Sequence, residues 1–161
     1  MKLLNVKFEE LEDIINLTDK VRISDPCYDM GTWCAGTLEN VLPGIYHCFV
    51  QRDPEEDRIS AIEVRHENHL DVKPRFFSEI DVGVDSGQCG IYDLDYFKAV
   101  NGDENWYETV CDSTFDEYFT AAVLDEKCLV CSSGYGDGSY ICKYNTRNKK
   151  IVSIGLYFIW R

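Results

Sequence analysis

The chain lacks any run close to the ~20 consecutive apolar residues that a membrane span requires. Met1 to Glu10 contains Lys2 but no apolar h-region and no small-residue cleavage site, so no signal peptide is expected and the expected compartment is the cytosol. Positive charge is scarce: 16 Lys and Arg face 29 Asp and Glu, for a net charge of -13. Phosphate backbones and anionic lipid repel such a surface, which argues against nucleic acid and membrane as partners. There is no P-loop, no dinucleotide-binding fingerprint and no serine-nucleophile elbow. No repeat, low-complexity stretch or linker divides the 161 residues, so 1–161 reads as a single domain around one core.

Hydrophobic residues make up 45% of the chain, enough for a packed interior. The acids are spread along it, and their densest group (Asp53, Glu55, Glu56, Asp57) falls at an expected hairpin tip, as a solvated surface rather than a row of phosphate mimics. Eight cysteines without a secretory signal read as reduced thiols, most of them small core residues. Cys128-Leu129-Val130-Cys131 has the spacing of half a zinc site. In a strand, however, residues three apart point to opposite faces, and no second such pair exists, so neither metal nor cofactor is expected.

Patterning gives the fold class: α+β, mainly an antiparallel sheet or a sheet folded on itself, with two or three short helices packed on one side. Phe8, Leu11, Ile14 and Ile15 have near-helical spacing and predict a short helix or turn. Val21–Ser24 reads as a strand stopped by Asp25-Pro26. Residues 45–52 and 58–66 form a hairpin. Ile80, Val82 and Val84 alternate with Glu79, Asp81 and Asp85, and a short strand follows at 89–92. Asp93 is expected to cap a helix ending at Asn101-Gly102, and Asp103 a turn carrying Trp106, Tyr107 and Val110. Ser113 is expected to cap a second helix with an apolar stripe of Phe115, Tyr118, Phe119, Ala122 and Val123. The remainder is strand: 129–132, a glycine-rich turn, 139–144, another turn, and 150–160.

Three segments place an aspartate beside glycine, proline or serine at a strand end. They are Ser24-Asp25-Pro26-Cys27-Tyr28, Val84-Asp85-Ser86-Gly87, and Ser132-Ser133-Gly134-Tyr135-Gly136-Asp137-Gly138-Ser139-Tyr140. Each alone is an ordinary turn; Asp-Gly in particular is a common hairpin signal. Three of them, far apart in sequence, predict a shared concave site with Asp25, Asp85, Ser86, Ser133, Asp137 and Ser139 as ligand-binding residues.

The same segments carry a resemblance. Gly134-Tyr135-Gly136-Asp137-Gly138-Ser139-Tyr140, with Val84-Asp85-Ser86-Gly87 and Pro43-Gly44-Ile45-Tyr46, resembles the family known as domain of unknown function 4241, over most of residues 21 to 160. That resemblance implies an order of elements and no activity. The chain departs from the family in being shorter and in ending on Phe158-Ile159-Trp160 instead of an Asp-Phe pair. From the residues, the expected function is a small binding module holding a small molecule or a protein partner where the three turns converge. The alternatives are a hydrolase using Asp25, Asp85 or Asp137, and an inhibitor or immunity-type factor acting through its acidic surface.

Overall fold

A computed structural model describes residues 2–115 and 120–160. The described residues form two antiparallel sheets and two helices. In order these are β1 (Glu9–Leu17), β2 (Val21–Ser24), β3 (Gly36–Leu38), β4 (Gly44–Asp53), β5 (Arg58–His66), β6 (Phe76–Phe77), β7 (Val82–Val84), β8 (Gln88–Asp93), α1 (Leu94–Val100), α2 (Trp106–Thr114), β9 (Ala121–Leu124), β10 (Cys128–Ser132), β11 (Gly138–Arg147) and β12 (Lys150–Tyr157). The larger sheet runs β1-β4-β5-β12-β11-β6, with β7 on the first residues of β11; the smaller runs β3-β2-β8-β10-β9. The architecture is therefore mainly antiparallel β with two helices, α+β overall.

The sheets bury one face each against the other. Tyr46, Cys48, Ile62, Val64, Cys142, Ile154 and Leu156 from the larger sheet meet Val21, Ile23, Cys89, Ile91, Leu129 and Cys131 from the smaller in one cluster. The opposite face of the smaller sheet presents Tyr92, Cys128 and Val130 to Phe97 of α1 and to Trp106 and Val110 of α2. Cys128 and Cys131 thus enter different clusters, on the two sides of β10, as strand alternation requires. Among the described residues all eight cysteines are free, and no helix is long and apolar enough to cross a membrane.

Three local expectations are corrected. The first apolar group forms β1 instead of a helix, paired with β4; a register shift between Glu10 and Ile14 interrupts its two-residue period and mimics helical spacing. Ser113 lies inside α2, where its hydroxyl donates to the Thr109 carbonyl, and caps nothing. Phe115 is exposed, and Ala122 and Val123 belong to edge strand β9, so the expected helical stripe does not form; Tyr118 and Phe119 lie outside the described residues. Asp93 precedes α1 without capping it by its side chain. It accepts instead from the Thr18 backbone N–H and hydroxyl at 2.8 and 2.6 Å.

Candidate functional site

The glycine-rich segment after β10 reads in sequence as the tip of a hairpin, but β10 and β11 do not pair. β10 lies between β8 and β9 in the smaller sheet, while β11 belongs to the larger one. Residues 133–137 carry the chain from one sheet to the other. The β7–β8 connection, Asp85-Ser86-Gly87, crosses in the same place, because β7 pairs with the start of β11 (Val84 opposite Gly138) and β8 pairs with β10 (Gln88 opposite Ser132). The Ser133 N–H donates to the Gly87 carbonyl at 2.9 Å and ties the two crossings together.

Backbone that leaves a ladder at such a corner needs new partners. Asp25, which follows the last residue of β2, supplies them. Its Oδ2 accepts from the N–H groups of Asp85 and Ser86 at 2.9 and 2.8 Å, and its Oδ1 from the Ser86 hydroxyl and the Cys27 N–H, both at 2.8 Å. The side chain is fully buried. Both oxygens are occupied by donors within the chain, so Asp25 is a clamp on the corner and not an open ligand group. Ser86 is its partner. Ser133 is buried too: its hydroxyl donates to the Gly136 carbonyl at 3.0 Å, its own carbonyl accepts from the Gly136 N–H at 2.7 Å, and the Tyr140 hydroxyl donates to the Gly136 carbonyl at 2.6 Å.

Glycine is required at Gly134. Its φ is +52°, and a Cβ there would stand 2.9 Å from Cβ of Phe158. That close approach brings the turn down onto the end of the chain. Asp137 and Ser139 are exposed, and with Tyr135, Tyr140, Phe158, Ile159 and Trp160 they line a cleft of about 430 Å³. Asp25 and Asp85 do not line it. The Arg58 guanidinium sits 5.6 Å from the Tyr135 ring centroid and donates to the Gly134 carbonyl at 3.2 Å, which holds the exposed ring in place.

The three segments are thus contiguous, but their side chains divide. Asp25, Ser86 and Ser133 point into the corner and build it; Asp85, Asp137 and Ser139 are on the outside. The aromatic and aliphatic wall of the cleft was not singled out from sequence as a binding surface, because Phe158 and Trp160 read there only as part of a strand face. Cys27 is exposed beside the clamp, and its thiol is pushed up to about 11, first by partial burial and then by the Asp25 carboxylate. At neutral pH it is a thiol and a poor nucleophile. Among the described residues no group of three or more His, Cys, Asp and Glu side chains is arranged to hold a metal ion.

No family model matches the chain, and neither a curated protein nor a solved structure matches it significantly.

Proposed function

We propose that the protein is a binding module that holds a small molecule or a protein segment, without turnover, in the cleft beside Asp137. The observation that carries this reading is the division of labour at the corner. Asp25 is saturated by four internal donors and fixes the 85–87 crossing, which the Ser133 N–H ties to the other, while Asp137 and Ser139 offer a carboxylate and a hydroxyl beside an apolar wall. A rigid scaffold presenting a few polar groups over apolar lining is the usual form of a binding site. A carboxylate together with the Tyr135, Phe158 and Trp160 rings suits a ligand with an apolar body and a cationic or hydrogen-bond-donating group. A hydrolase reading would draw on Asp25, Asp85 or Asp137 as base or cation ligand, and the committed oxygens of Asp25 weigh against its part in that role. We further propose that the Gly-Asp-Gly turn is the feature shared with the domain of unknown function 4241 family.

Native mass spectrometry of the purified protein tests the binding reading. A bound mass that is retained by the wild type and lost from Asp137→Asn, with the fold unchanged by circular dichroism, is the expected result. A ligand retained equally by Asp137→Asn and by Tyr135→Ala would overturn it.

A further inference from the structure

The outer face of the larger sheet carries a second site, independent of the Asp137 cleft. Cross-strand neighbours share a face, so Phe49, Glu63, Gly155 and Lys143 form one row across β4, β5, β12 and β11, with Arg65 beside Glu63 on β5. Next to this row lies a cleft of about 410 Å³ lined by Asn5, Lys7, Phe8, Phe49, Arg65 and Lys73. Three of the chain's 16 basic residues converge on it, and none of its 29 acids lines it. In a protein of net charge -13 this is a local reversal of sign, and reversal inside a concavity marks an anion site.

One of the three cations is held ready. Arg65 is buried, its guanidinium 4.1 Å from the Phe49 ring centroid and 5.9 Å from that of Phe8. Its Nε and Nη2 both donate to Glu63 Oε1, at 3.2 and 2.7 Å, and Glu63 is fixed in turn by the Tyr157 hydroxyl. Nη1 has only a long bond, 3.4 Å, to the Leu70 carbonyl. Lys7 and Lys73 are exposed, and among the described residues neither forms an ion pair. A carboxylate ligand would pair with the Nε–Nη2 edge of an arginine, and Glu63 already occupies that edge of Arg65. A tetrahedral oxyanion accepts donors from several directions, and a second negative charge answers the two lysines.

We propose that this cleft binds a small phosphate-bearing compound, with the phosphate between Lys7, Lys73 and Nη1 of Arg65. The experiment is isothermal titration of the whole protein with pyrophosphate and with citrate at low ionic strength. Two double variants of equal charge are compared, Lys7→Gln/Lys73→Gln and, away from the cleft, Lys20→Gln/Lys98→Gln. Both keep Arg65, whose removal could unfold the sheet. The wild type is expected to bind pyrophosphate saturably with a Kd of roughly 1 mM or tighter, and citrate more weakly. The Lys7→Gln/Lys73→Gln protein should lose about tenfold or more, and the control pair little. Absence of saturable binding, equal losses in the two double variants, or tighter binding of citrate would each overturn the proposal. The Asp137→Asn protein should bind pyrophosphate as the wild type does, so failure here is distinct from failure at the other cleft.

Discussion

The outer faces of the two sheets are finished by opposite chemistry. On the smaller sheet, α1 and α2 cover Tyr92, Cys128 and Val130 with Phe97, Trp106 and Val110, and the Trp106 indole N–H finds the Pro26 carbonyl at 2.8 Å. On the larger sheet no helix among the described residues covers the equivalent face. The buried side chains there include Glu63, Arg65 and Tyr157, joined to one another by hydrogen bonds, with Arg65 stacked on Phe49. An apolar layer stabilises by leaving water; a buried ion pair holds only while every member keeps its partner. The first face therefore contributes stability that degrades in proportion to volume removed, whereas the second fails when one charge is lost.

That contrast is sharpest at Glu63. Glu63→Ala leaves the Arg65 guanidinium buried without its carboxylate and should cost about 4 kcal/mol in urea unfolding. A loss below about 1 kcal/mol would mean that water already reaches the pair and that the two faces do not differ. On the helical side, Phe97→Ala removes a fully buried ring and should cost about 3 kcal/mol, as truncation of a core aromatic does. An unchanged midpoint would show that the helices are loosely seated.

The corner between the sheets falls between these cases. Asp25→Asn replaces one acceptor oxygen by an amide donor facing N–H groups and should cost about 2 kcal/mol. It should also lower the Cys27 thiol below its value of about 11, because a negative neighbour that disfavours the thiolate has gone. Iodoacetamide alkylation of Cys27 followed against pH reads this directly: the midpoint should move toward neutrality, and a fixed midpoint would leave burial as the sole cause. Smallest of all is Asp137→Asn. Its exposed carboxylate should contribute within about 0.5 kcal/mol of nothing to stability. A larger loss on thermal unfolding would make Asp137 part of the scaffold and remove the contrast with Asp25.

Where the hydrophobic pattern is regular, the elements were legible. The 45–52 and 58–66 hairpin, the buried Val82 and Val84, the short strand before Asp93 and the inward Ile154 and Leu156 all follow from alternation. Where the pattern is irregular it misled. The irregularity in β1 shifts Leu11, Ile14 and Ile15 into a spacing that imitates a helix. Ala122 and Val123 are half-buried on an edge strand, and their distance from Phe115 carries no structural meaning. Of the candidate site, the contiguity of the three turns was anticipated from their chemistry, but the inward orientation of Asp25, Ser86 and Ser133 was not. Nothing in the local sequence distinguishes a carboxylate that clamps a corner from one that faces a ligand.

Where alternation is regular, the sequence by itself determined which side chains share a face. Period-two alternation, proline and glycine act within a few residues, and so Cys128 and Cys131 had to diverge and Gly134 had to turn. Only the tertiary structure decided which sheet each strand joins. Strand pairing is set by contacts between segments far apart in the chain, such as Val84 with Gly138 and Ser24 with Gly90. The same pairing turned an apparent Asp-Gly hairpin into a crossing between sheets, and it gathered Lys7, Arg65 and Lys73 from three separate segments around one cleft in an acidic protein.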